Sequence, residues 1–230
     1  MRNYGQYCPI ARASAVLAER WTPIILRNLL NGCATFTDIA DGAPGIPRSL
    51  LICRLRELER VGVVWSEANP SGRGSLFHLT EAGQDLKDLL YALGTWGERW
   101  LELAPEHVDP YVVLWAWCEW YLDRGRLPDR RVVVRFEFPD QPLSSRWFWV
   151  VFDGERSEVC RKDPGFEVDL VVVGRLRALI AVWMGDTTMS AVIRARELQI
   201  EGTRRLADAF PSWLRRSIFA DVERPQTAPA

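Results

Sequence analysis

Lysine is nearly missing from this chain: of its 29 Lys and Arg residues only Lys87 and Lys162 are lysine. An arginine-only basic set suits two-pronged contacts to phosphates and base edges. It can equally reflect genome composition, because the bias runs through both halves of the sequence. Histidine is as scarce, with only His78 and His107, so metal and general-base chemistry are poorly supplied. Five cysteines, at positions 8, 33, 53, 118 and 160, are odd in number and contain no CxxC pair. That spacing argues against a disulfide framework and against a zinc site. No apolar run approaches the ~20 residues of a membrane-spanning helix, and residues 1–8 lack the apolar core of a secretory signal. A cytoplasmic protein with no membrane partner is the expectation. No phosphate-cradling glycine loop, nucleophile–base pair or ligand cluster is visible. Glu57 and Glu59 are both acidic, but two residues apart on a helix they diverge by about 200°. The chain is therefore not expected to be an enzyme, and neither a metal nor a cofactor is expected.

What is present is a chain of 230 residues, 48% apolar, with a net charge of -1. That length suits one large or two ordinary domains, and the apolar fraction is enough for real cores. With charge near zero, any surface for a polyanion must be local. The first hundred residues carry three short helical patterns. Pro9 to Glu19 comes first, then Thr22 to Leu30 with proline in its first turn, then Thr35 to Ala40. A fourth pattern runs from Pro47 to Arg60. At 100° per residue its Leu51, Leu55, Leu58 and Gly62 share one face, while Ser49, Cys53, Arg56 and Arg60 share the opposite one. Ile52 lies at the margin of that outward face, Arg54 on its flank, and Arg48 with Ser49 in the first turn. Residues 61–67 and 75–79 alternate as paired strands around the polar turn Asn69-Pro70-Ser71-Gly72-Arg73-Gly74. A helix that fits a major groove, followed by a basic hairpin, predicts a winged helix-turn-helix, with Arg73 at the hairpin tip. A plain solvated face on an amphipathic helix is the alternative. From its Thr80 cap a long helix should continue through Leu86, Leu89, Leu90, Leu93, Trp96, Trp100 and Leu101. Its stripe exceeds what a small domain covers, so it either pairs two copies or meets the chain's own second half.

Several motifs follow in order: Cys8-Pro9-Ile10-Ala11-Arg12-Ala13, Arg20-Trp21-Thr22, Ile25-Leu26-Arg27 and Phe36, then Leu51, Arg54 to Glu59, and Leu79-Thr80-Glu81-Ala82-Gly83. The resemblance they carry is to the HxlR-type branch of winged-helix regulators, relatives of the MarR family. It implies a homodimer on double-stranded DNA, with Arg48 and Ser49 toward bases and Arg54, Arg56 and Arg73 toward the backbone. Ile52 and Cys53 complete the expected contact set. Two positions depart from the family pattern. Pro47 replaces a hydroxyl helix cap, and Ile52 replaces a small hydroxyl residue, offering an apolar contact such as one to a thymine methyl. Cysteines at position 8 serve such proteins as thiol sensors. Here Cys8 is either a sensor, with Arg12 one turn on, or a packing residue at the pairing surface. Cys33, Cys118 and Cys160 are expected to be buried.

Composition shifts after Ala104-Pro105-Glu106, which divides the chain into domains 1–104 and 105–230, with a frayed tail from about residue 221. Seven of the 11 tryptophans lie beyond it. The pattern is a helix over 109–122, strands near 132–138, 146–152, 157–160, 168–173 and 198–201, a helix from Leu176 to Met184, and helices 203–210 and 212–219. Val168 to Gly174, Leu179 to Trp183, Gly185-Asp186, Ala191 and Leu198 to Gly202 are similar to a sterol-carrier-protein-like domain. The predicted class is α+β, a winged helix-turn-helix domain followed by a mixed sheet-and-helix sterol-carrier-like domain. The second resemblance implies an apolar tunnel and a lipophilic small-molecule effector. Trp115, Trp120, Phe136, Phe138, Trp147, Trp149 and Trp183 would line it, or else fill an ordinary core. The whole reads as a homodimeric DNA-binding regulator answering to a hydrophobic ligand. The alternative is a thiol-based repressor acting through Cys8, with the second domain as scaffold.

Overall fold

A computed structural model describes residues 4–104, 108–154 and 156–225. Residues 105–107, where the composition break and His107 fall, and the last five residues of the expected tail lie outside the described residues. The chain divides into two compact units, one up to Trp96 and one from Gly97.

In the first unit, α1 (Pro9–Leu17), α2 (Thr22–Leu30), α3 (Phe36–Asp41) and α4 (Arg48–Arg60) precede a hairpin of β1 (Val64–Ala68) and β2 (Ser75–Leu79). The hairpin pairs Val64 with Leu79 and Ala68 with Ser75. Ile25, Leu26, Ile39, Leu51, Leu55, Leu58 and Val64 are buried, so the spacing that predicted one apolar face on the fourth helix points it inward. Thr35 and Asp38 cap α3 reciprocally. The buried Asn28 amide donates to the Ile39 carbonyl at 3.0 Å, which pins α2 to α3. The helix expected to run unbroken from Thr80 is two helices, α5 (Glu81–Gln84) and α6 (Leu86–Trp100), with a turn at Asp85. The Thr80 hydroxyl donates to the Gly62 carbonyl at 2.7 Å and accepts from the Gly83 amide at 3.2 Å. A Cβ on Gly83 would lie 2.3 Å from the Val63 carbonyl. The glycine thus lets α5 lie directly on the base of the hairpin.

The second unit is a five-stranded sheet ordered β5-β4-β3-β6-β7. Its strands are β3 (Val132–Glu137), β4 (Trp147–Asp153), β5 (Arg156–Cys160), β6 (Leu170–Gly174) and β7 (Leu198–Gly202). Only β3 and β6 run parallel. Val132, Val134 and Phe136 oppose Phe152, Val150 and Phe148, so all six share one face. That face carries the core, built with α7 (Pro110–Ala116), the π-helical turn Trp117–Tyr121, α8 (Leu176–Met184), α9 (Met189–Arg194) and α10 (Arg204–Ala209). Edge-to-face rings knit it together, with Trp117 at 5.8 Å from Phe136 and 5.6 Å from Phe210.

Two elements of the second unit differ from the sequence reading. Helix α9 was not anticipated; Thr188 caps it by accepting from the Ala191 amide at 3.2 Å. Residues 212–219 are not a helix but a 3₁₀ turn, Phe210–Trp213, followed by extended chain. Leu214 bridges to Leu122, and the Asp123 and Arg215 amides each donate across at 2.8 Å. The backbone bonds that a helix would have made internally go to the strand-like segment after the π turn.

Candidate nucleic-acid interface

The inward leucines of α4 fix its other face outward, and Ser49, Ile52, Cys53, Arg56 and Arg60 are all exposed. At intervals of three or four residues they form one stripe along the helix. Pro47 is the N-cap and provides no side-chain bond to the first turn. Arg48 is exposed at the head of the stripe, its guanidinium 4.8 Å above the Phe36 ring, which holds it at the rim of α3. Arg73 is exposed at the hairpin tip. The turn is shaped by the Asn69 side chain, which accepts from the Ser71 amide at 2.9 Å, and by the Asn69 amide, which donates to the Gly74 carbonyl at 3.0 Å.

Arg54 behaves differently from the other predicted contacts. Its side chain is 13% exposed and pairs with Glu19 at 2.6 Å and Glu57 at 2.7 Å. Its Nε donates to the Arg20 carbonyl at 3.4 Å. The guanidinium is engaged inside the domain, tying α4 to the α1–α2 turn, where Trp21 is held at φ 78. Partial burial alone would push the Glu57 carboxyl up, but the Arg54 hydrogen bond and charge hold it below its ordinary 4.5. The stabilisation from a depressed carboxyl is complete above that ordinary value and is lost as pH falls through the lowered one. Removing Arg54 should shift this acid limb to higher pH. Arg54→Met should also cost about 1–2 kcal/mol in urea unfolding, because the half-buried Glu19 and Glu57 carboxylates lose their shared guanidinium. The salt dependence of DNA binding should stay unchanged. Arg73→Ala should do the reverse, leaving stability intact and lowering the log–log salt slope by about one.

Sequence reasoning overlooked the outer face of the hairpin. Trp65 stacks on His78 with ring centroids 4.5 Å apart, and His78 Nε2 lies 3.2 Å from Glu67. Their cross-strand register, Trp65 opposite His78, was readable once the turn was fixed. Cys8 is exposed as the N-cap of α1, and its carbonyl accepts from the Arg12 amide at 3.1 Å. Cys53 is exposed; Cys33 and Cys118 are buried, and Cys160 is half-buried. Burial drives the Cys118 thiol far up, and burial with the neighbouring Glu158 raises Cys160.

The seven aromatic residues predicted to line a tunnel do not meet in one cavity. Phe136 and Phe138 stack 6.1 Å apart inside the ring-filled core. Trp147 and Trp149 oppose Glu137 and Arg135, on the other side of the sheet. Trp115 lies 4.9 Å from Trp120, and Trp183 lies 5.0 Å from Tyr121. Among the described residues no helix is long and apolar enough to cross a membrane, and no group of three or more His, Cys, Asp or Glu could hold a metal ion.

Comparison with known proteins bears on the first unit. The HxlR-like helix-turn-helix family model matches residues 16–105. YvaP of Bacillus subtilis (strain 168), an uncharacterized HTH-type transcriptional regulator, is 31% identical over 109 residues, spanning 46% of this chain and 99% of YvaP. Rv3095 of Mycobacterium tuberculosis (strain H37Rv), also an uncharacterized HTH-type transcriptional regulator, is 34% identical over 119 residues, spanning 45% of this chain and 73% of its own length. The reduced form of the transcriptional regulator YodB from B. subtilis aligns at a TM-score of 0.37 and 27% identity, over 42% of this chain and 97% of YodB. The outward stripe of α4, the hairpin with Arg73 at its tip and a relative matched over nearly its entire length agree: the chain belongs to the HxlR-like helix-turn-helix family of DNA-binding transcriptional regulators.

Proposed function

We propose that two copies pair through α6, assisted by α1, and set their α4 helices into successive major grooves about 34 Å apart. The observation that carries this reading is an unburied apolar seam on α6. Leu89, Leu93, Trp96 and Trp100 are 51%, 52%, 54% and 48% exposed, at the spacing by which paired helices interlock. No residue of α1 is buried either, and Ile10 on it stands open. Arg48 and Ser49 would meet base edges, with Ile52 and Cys53 one turn on, while Arg56 and Arg73 neutralise phosphates. Arg54 positions α4 and does not touch DNA. The second unit, a sheet backed by helices on one face, would act as the effector domain for a hydrophobic small molecule. Such a ligand releases DNA only if it favours one spacing of the α4 pair over another.

Selection of bound duplexes from a randomised pool tests the reading. It predicts an inverted repeat whose half-sites lie one helical turn apart; recovery of unrelated sequences counts against it. Exposure of Cys8 at the head of α1, on the surface assigned to pairing, favours a second reading, a thiol switch. Under that reading Cys8→Ser should abolish DNA release by diamide while operator affinity stays intact. Unchanged release would remove it.

A further inference from the structure

The sheet of the second unit has two unlike faces. The core residues of α7, α8, α9 and α10 pack on the face of Val134, Phe136 and Val150. The opposite face carries Val133, Arg135 and Glu137 of β3, Trp147, Trp149 and Val151 of β4, and Cys160 of β5. At its centre Arg135 directly opposes Trp149 on one side and Val171 of β6 on the other. Directly opposed side chains on one face stand about 5 Å apart at Cβ.

Both members of the Arg135–Trp149 pair hold an unused donor. Arg135 Nε and Trp149 Nε1 are buried with no hydrogen-bond acceptor. No ion pair among the described residues includes Arg135, although Glu137 lies next but one on the same strand. The unpaired indoles of Trp117 and Trp213 are enclosed in the ring-filled core, where nothing polar can reach them. That of Trp149 lies on the opposite face of the sheet, beside the Arg135 guanidinium. A buried donor left unmade costs stability, and a half-buried cation without a counter-charge costs more. Two such donors opposed across one strand pair are complementary to an acceptor that brings negative charge.

Next to this pair is a space large enough for the rest of a molecule. An open cavity of about 670 Å³ is lined by the apolar Val151, Pro164 and Phe166, by Cys160, and by the charged Glu158, Arg161 and Lys162. Cys160 is the cross-strand neighbour of Trp149, and Val151 opposes Val133. Arg135 and Trp149 are not among its lining residues; the cavity adjoins them one strand over, through the Trp149–Cys160 register.

We propose that this face binds a small apolar monocarboxylate, its carboxylate accepting from Arg135 and the Trp149 indole and its apolar body lying along Val151 toward Phe166. The site gives a place and a ligand class to the effector domain, and in that sense it rests on the effector reading above. It differs from the predicted tunnel, which would lie among the helices on the other face.

Calorimetric titration of the full chain, without DNA, tests it with 4-phenylbutyrate as probe and 4-phenylbutanol as its neutral counterpart. The acid should bind saturably and more tightly than the alcohol. Arg135→Met, which keeps an apolar stem of similar length, should weaken the acid about tenfold or more and leave the alcohol unchanged. Trp149→Phe should weaken it less. Its missing signal identifies the Trp149 indole N–H resonance, which in the unaltered chain should move downfield as the acid is added. Unaltered melting temperatures keep both variants interpretable. Equal affinity for acid and alcohol, no saturable heat, or an Arg135→Met chain that binds the acid as before each overturns the site. Binding that follows this pattern but never alters DNA release would leave the site standing and overturn the effector reading alone.

Discussion

Trp117→Ala is expected to destabilise the second unit by about 3–5 kcal/mol, the usual cost of emptying a tryptophan-sized space in a closed core. The indole is 1% exposed, and three phenylalanine rings surround it, Phe136, Phe152 and Phe210, with centroids within 6.4 Å. It stands at the head of the π-helical turn, on the element that joins α7 to the segment bridged by Leu214. The surrounding groups are covalently spread over β3, β4 and the C-terminal 3₁₀ turn, so little collapse into the void is possible. Since whole domains are stable by about 5–15 kcal/mol, a loss of this size leaves a marginal unit. Denaturant unfolding followed by near-ultraviolet circular dichroism reads it directly. A loss below about 1 kcal/mol would show that the ring cluster is not the core.

The other large effect concerns assembly. Leu93→Asp should convert the protein to a 26.3 kDa monomer in light scattering. Leu86, Leu89, Leu93, Trp96 and Trp100 recur at alternating intervals of three and four, the repeat by which helices interlock, and Leu93 is central. In the pairing we propose, each buried leucine contributes roughly 1.5–3 kcal/mol. An aspartate there would bring two carboxylates together across the symmetry axis without counter-charge. Because the second half-site then no longer binds intramolecularly, operator affinity should fall by about 100-fold or more. The substitution leaves α4 untouched, so a monomer with undiminished affinity would contradict the paired reading.

Much of the first unit was legible because its signals are local. The leucines of α4 and the glycine-flanked hairpin turn each announce themselves within a dozen residues. Helix α8 likewise matches its pattern from Leu176 to Met184 and stops at Gly185, at φ 81, where a Cβ would meet the Arg216 guanidinium. Information held by partners distant in sequence was not legible. Arg54 sits on the flank of α4, and nothing in the spacing shows that Glu19, 35 residues away, holds it. Alternation in β3 and β4 separates Phe136 from Arg135 and Phe148 from Trp149. It does not say which side the helices take, so aromatic residues of both faces were grouped as one lining. The helix expected over 212–219 failed for a related reason. Trp213 is fully buried against Phe152 and Phe210, and the chain after it pairs with Leu122, contacts that outweigh local helical spacing.

The most direct measurement is sedimentation of the full chain on a selected duplex across a salt series. Two copies per duplex, discrimination against a scrambled sequence, and an affinity falling steeply and log-linearly with salt are the predicted result. One copy per duplex, or equal affinity for the scrambled sequence, would contradict a paired presentation of the α4 helices.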